Sequence, residues 1–182
     1  NAVKLNLNFI SAAVGTPSPF TISASTKIYV QLSVMGHGVI QDLGYHLTAP
    51  DGTTVILKKS PMADNPFAFC NFGSDASDLI FTNQRPITDT LDICSQLTPL
   101  SGTFAATGDW SVLYGKNPSE GGWALQVRDY FNDNGGVDGN LTNVSISFTD
   151  VTLLGDTVTV MFSSGTTTYP INEIGSPGRT LF

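Results

Sequence analysis

The chain has 182 residues, enough to bury one substantial core without forcing a second full domain. Charged residues make up 13%, and the net charge is −7 with only eight Lys and Arg scattered along the chain. That excludes a nucleic-acid backbone as partner, because phosphate binding needs clustered cations. No stretch approaches the roughly 18 apolar residues needed to span a bilayer. Gly, Thr, Ser and Asn crowd between short apolar runs and no segment sustains a helical period, so the expected class is all-β with many turns and almost no helix.

Residues 1–19 hold a strand candidate, Val3, Leu5, Leu7 and Phe9 alternating with Lys4, Asn6 and Asn8, followed by a connector broken by Pro17 and Pro19. From Phe20 the strands come densely. Ile28, Val30, Leu32 and Val34 form one apolar face, and Gly36-His37-Gly38 ends that run. Leu43, Tyr45 and Leu47 alternate next, then Pro50-Asp51-Gly52, then Val55 and Leu57. Pro-Asp-Gly between alternating runs predicts a hairpin, since Pro presets the entry angle and Gly accepts positive φ.

The region from 59 to 100 is punctuated by Pro61, Pro66, Pro86 and Pro99 and reads as long loops with one or two short strands. Sheet-like segments return at Ser101 to Phe104 and Trp110 to Leu113. Trp123, Leu125 and Val127 then face one way, and Val144, Ile146 and Phe148 repeat the pattern after an Asn/Asp/Gly-rich loop. The pair is expected as two antiparallel strands of one sheet on a core. Residues 150–182 add a strand around Val158, Val160 and Phe162 and a Gly/Thr/Pro-rich tail, packed on the sandwich or serving as a linker.

Thirteen of the fifteen acidic residues are Asp, mostly in Gly/Asn-rich turns. Two readings stand side by side: turn-capping carboxylates, or loop ligands for Ca²⁺, with Asp42, Asp75, Asp129, Asp133 and Asp138 as the candidate set. An EF-hand is excluded, because placing its central glycine at Gly135 puts Tyr130 at the first ligand position and Leu141 at the last. Cys70 and Cys94 are the only cysteines. They are read as a disulfide formed in an oxidising compartment, with two buried free thiols as the alternative. Zinc is excluded, since four ligands are needed and neither histidine sits at finger spacing.

No G-x-S-x-G elbow occurs, His37 reads as a turn residue, and His46 falls on the expected outward face of its strand. No catalytic residue and no organic cofactor is therefore assigned. Tyr29, Tyr45, Tyr114 and Tyr130 are the candidates to line a glycan surface, while Trp110 and Trp123 are expected in packing. Asn140-Leu141-Thr142 and Asn143-Val144-Ser145 are glycosylation sequons, relevant if the source is eukaryotic.

Residues 20–149 resemble a known family. His37-Gly38-Val39-Ile40-Gln41-Asp42-Leu43, running on to Leu47, Pro50, Gly52 and Thr53, is similar to the H-x-x-x-G-D-L-x-x-x-L-x-S-P-x-G-T segment of the P domain, or Homo B domain, of subtilisin-like proprotein convertases and related bacterial secreted and surface proteins. Ser101-Gly102-Thr103-Phe104, Gly122 through Asp129, and Gly139-Asn140-Leu141 with Ser145 and Ile146 are similar to the family's later signatures. Gln41, Ala49 and Val144 depart from its Gly, Ser and Trp. The resemblance implies an antiparallel β-sandwich of jelly-roll type. It also implies a non-catalytic accessory module of a secreted or cell-surface protein, one that stabilises a neighbouring domain and makes protein contacts. An adhesin or carbohydrate-binding module, and an accessory piece of a subtilisin-like protease, are the alternatives.

Overall fold

The computed structural model describes residues 2–6, 8–9, 20–37, 39–64, 76–92, 100–130, 137–151, 155, 157–163 and 168–172. It is all-β, with eleven strands and only four short 3₁₀ turns among the described residues. The strands are β1 (Ala2–Asn6), β2 (Asn8–Phe9), β3 (Lys27–Met35), β4 (Leu43–Thr48), β5 (Thr54–Lys58), β6 (Ala76–Thr82), β7 (Leu100–Ala105), β8 (Ala124–Asp129), β9 (Val137–Val151), β10 (Thr157–Ser163) and β11 (Tyr169–Asn172).

They form two sheets. The smaller has the order β1-β8-β4-β5; the larger has β2-β10-β9-β3-β6-β7, with β11 pairing the first part of β9. Pairing is antiparallel except that β6 and β7 run parallel, so the chain between them crosses over rather than turning back.

The inward faces of both sheets meet in one apolar core. Ile28, Val30 and Leu32 of β3, Ile146 and Phe148 of β9, Leu43, Tyr45 and Leu47 of β4, and Leu125 and Val127 of β8 are all buried in it. Ring contacts tie one sheet to the other: Tyr45 meets Phe81 at a centroid separation of 6.0 Å, and Trp123, just before β8, meets Phe148 at 4.7 Å. Tilted pairs at such distances add to what area burial alone contributes.

The β4–β5 hairpin forms around Pro50-Asp51-Gly52. Ala49 N–H donates to Thr53 O at 2.8 Å, Gly52 N–H to Ala49 O at 2.9 Å, and Gly52 takes φ +89°. Four sequence expectations are corrected. Trp110–Leu113, expected as sheet, forms a 3₁₀ turn whose start is capped by the Asp109 side chain accepting from Ser111 N–H. β8 and β9 do not pair; they belong to opposite sheets, and their apolar faces meet through the core. Alternation reports which face is buried and is silent on whether the facing strand lies beside or across. Tyr45 is a core residue with no exposed surface, and cannot line a binding face. His46 points away from the core yet is buried too, because Tyr130 covers that part of the smaller sheet. A Cβ on Gly44 would lie 2.8 Å from Tyr130 Cε2 and 3.4 Å from His46 Nε2.

Candidate functional site

Where β3 ends, Gly36 takes φ +70° and the chain turns through the 3₁₀ turn Ile40–Asp42 before entering β4. Asp42 N–H closes the turn on Val39 O at 3.1 Å. This reversal sets His37 against Asp42: Nε2 lies 2.8 Å from Oδ1, with both side chains fully buried. An ionised carboxylate only accepts, so the imidazole Nε2–H donates. The backbone of Asp42 is anchored separately, its carbonyl accepting from Tyr130 N–H at 3.2 Å. Gly139 seals the other side, because a Cβ there would sit 2.7 Å from His37 N and 2.8 Å from His37 Cβ.

Lys58 completes this knot. The β4–β5 register shifts between Tyr45 and His46, so Leu57 is the extra residue of a bulge and Lys58 stands opposite Tyr45. The side chain is 2% exposed. Its Nζ donates to Leu43 O, and at 3.4 Å to Ile40 O and to Gln41 O. Three acceptors match the three protons of an ammonium; Ile40 O also accepts from Leu43 N–H within the turn, so Lys58 adds a second donor there. Ser60 Oγ adds a 2.9 Å bond to Gln41 O, and the ammonium lies 5.4 Å from the centre of the Tyr45 ring.

The electrostatics follow from enclosure. Burial pushes the Lys58 pKa down to about 7, the Asp42 carboxylate opposing. Burial, and then the Asp42 charge, hold the Tyr45 phenol above its usual range. Burial, and then the Arg128 cation, bring His46 down to about 4. Such a set can hold a turn in place and respond to pH, while its pairing groups, His37 and Asp42, are closed to solvent.

Of the acidic candidates, Asp42 and Asp129 are both buried; Asp42 ends the 3₁₀ turn that leads into β4, and Asp129 lies in the adjacent β8, where it pairs with Leu43. Asp75 and Asp133 fall outside the described residues, as do Cys70 and Cys94; Asp138 lies in β9, its side chain likewise outside the description. Among the described residues no group of three or more His, Cys, Asp or Glu is placed to hold a metal ion. Lys58 and Ser60 were not singled out by the sequence. Strict alternation from Val55 and Leu57 sends Lys58 outward, and nothing in the residue types marks the bulge that turns it in.

A second surface lies away from the knot. A depression of about 250 Å³ is walled by Arg85, Ile87, Asp109, Trp110 and Tyr114, of which Ile87 and Tyr114 are exposed at 70% and 43%. No helix among the described residues is long and apolar enough to cross a membrane. Comparison with protein-family models, with curated proteins and with solved structures finds no match.

Proposed function

We propose that the chain is a P-domain-like β-sandwich of jelly-roll type. In this reading it is a non-catalytic accessory module of a secreted or cell-surface multidomain protein that steadies a neighbouring domain and makes protein contacts. One observation carries the reading. The residues of the resembling motifs gather into the sealed knot, with His37 on Asp42, Gly139 packed on His37 and Asp42 tied to the residue after Asp129. Motif residues that close a fold and offer no reactive group to solvent suit a scaffold better than an active site. The exposed Ile87 and Tyr114 on the rim of one depression supply an apolar area for a protein partner.

Calcium belongs to the same proposal, with Asp42 and Asp129 as its described carboxylates and Asp75, Asp133 and Asp138 as the further candidates. Two carboxylates fall short of the six to eight oxygens that Ca²⁺ takes, so loop acids have to complete the set. A second reading, a carbohydrate-binding module, rests on a separate surface, the outer face of the larger sheet.

Two measurements test the accessory role. Deleting residues 20–149 from the parent polypeptide is expected to lower the neighbouring domain's unfolding midpoint by several degrees, and an unchanged midpoint would overturn it. Thermal unfolding of the purified chain is expected to rise and saturate with added Ca²⁺ relative to chelator. No shift would remove calcium from the reading.

A further inference from the structure

The outer face of the larger sheet carries polar groups that neither the core nor the knot uses. β3 presents Tyr29 and Gln31 on this face. The register sets Thr82 and Ser147 on either side of Tyr29, with Met161 beyond Ser147, and sets Ile80 and Ser145 on either side of Gln31. Tyr29 is 37% exposed and Met161 39%.

Both strands flanking β3 bulge at the same level. On β6, Ser77 and Asp78 together oppose Ser33; on β9, Asn143 and Val144 together oppose Leu32. Asp78 (φ +53°) and Asn143 (φ +51°) are the only non-glycine residues with positive φ among the described residues. Glycine would serve such a backbone at least cost. Here each bulge instead keeps an exposed hydrogen-bonding side chain, and strained positions of this kind gather at functional sites. Asp78 N–H donates to Ser33 Oγ at 3.1 Å, which holds its bulge, and the carboxylate accepts a long bond, 3.4 Å, from Gln31 Nε2.

The outer face of β3 and its neighbours thus lines up an open tyrosine ring, the hydroxyls of Ser147 and Ser145, the Gln31 amide with the Asp78 carboxylate on it, and the Asn143 amide further along. We infer that this face binds a neutral saccharide. The C–H face of a sugar ring stacks on Tyr29, its hydroxyls meet the neighbouring Gln31 amide, which the Asp78 carboxylate orients, and the Asn143 amide lies further along the same face. Charge argues for neutrality in the ligand: the central fixed charge is a carboxylate, and the chain as a whole carries −7, so a polyanion is repelled. The inference is independent of the accessory-module reading, which rests on the knot.

The test uses the chain produced in bacteria, so that Asn143 carries no glycan, and saturation-transfer NMR with methyl glycosides of galactose, glucose, mannose and N-acetylglucosamine. At least one is expected to give a saturable signal, and Tyr29→Ala and Asp78→Gly are each expected to weaken it by about tenfold or more. Both variants keep the fold: Tyr29 lies outside the core, and glycine suits the backbone at position 78. Urea unfolding midpoints close to the parent's confirm that for each. The inference is overturned if no glycoside gives a saturable signal, if both variants bind as the parent does, or if binding appears only with an acidic glycoside such as a glucuronide.

Discussion

His37 Nε2 and Asp42 Oδ1 lie 2.8 Å apart with neither side chain exposed, and the backbone on either side of them is pinned, by Gly139 against His37 and by Tyr130 N–H on Asp42 O. Removing one partner leaves a buried polar group without its counterpart, which costs far more than the pair itself contributes. Asp42→Ala is expected to lose about 3–5 kcal/mol in urea unfolding. Asp42→Asn, which still presents an oxygen to His37, is expected to lose clearly less. Equal losses would show that the imidazole bond contributes nothing.

Lys58 gives the fold a pH dependence whose sign can be worked out. Its folded pKa is depressed, to about 7 from 10.5, so between those values the unfolded chain binds a proton that the folded chain does not. Stability therefore rises as pH climbs from 7 toward 10, with a slope of up to about 1.4 kcal/mol per pH unit. Tyr45 acts the other way: its folded pKa is raised, so above its ordinary 10.0 the unfolded chain releases a proton that the folded chain keeps, and stability turns down. Denaturant titrations across pH 6 to 11 are expected to trace that rise and fall. Lys58→Met should abolish the rise and, by depriving the Ile40, Gln41 and Leu43 carbonyls of a donor, cost about 2–4 kcal/mol near neutrality.

On the acid side His46 sets the slope. With a folded pKa near 4 against 6.5 when free, it stays neutral in the folded chain while the unfolded chain takes up a proton. Stability is lost as pH falls from 6.5 toward 4. Imidazole resonances followed by NMR should show His46 untitrated above pH 5. An inflection near 6.5 would mean that Tyr130 does not cover it.

Two glycines separate crowding from backbone strain. Gly52 (φ +89°) has nothing within 4 Å of where a Cβ would stand, whereas Gly139 (φ +82°) would drive its Cβ into the backbone of His37 at 2.7 Å. Gly52→Ala is expected to cost about 1 kcal/mol, the strain of a left-handed residue. Gly139→Ala should cost about 3 kcal/mol or more, strain and overpacking together. Similar losses at both sites would deny the contact between β9 and the His37 loop.

The parts of the fold legible in the sequence are those where side-chain type and backbone need coincide. Pro50-Asp51-Gly52 names its own turn, the alternating run from Ile28 to Val34 names its own face, and Trp110 and Trp123 are packed as their size suggests. Other features depend on partners distant in the chain. Whether β8 and β9 lie side by side or across the core is decided by which strands arrive next to each. The burial of His46 is decided by Tyr130, and the inward swing of Lys58 by a one-residue slip against β4. Asp78 and Asn143 are ordinary turn-type residues in the sequence, and only the paired bulges beside β3 set them apart. Of the candidate calcium ligands, Asp42 in the turn before β4 and Asp129 in β8 are brought near each other by the pairing of Leu43 with Asp129, something their separation in the chain could not reveal.

The strand that begins the smaller sheet finds its mate very late. Val3 faces Val127, β8 alone joins β1 to β4, and β3 waits for β9 along most of its length. On the ribosome, the hairpin of β4 and β5 emerges with its inner edge bare until residues 124–129 have been made. No leading portion of the chain can close either sheet by itself, so assembly is a single late event dominated by distant pairings, and slow for that reason. A nascent chain stalled before β8 is therefore the species most open to proteolysis and to edge-to-edge association, and the module is secure only once its last third has been synthesised.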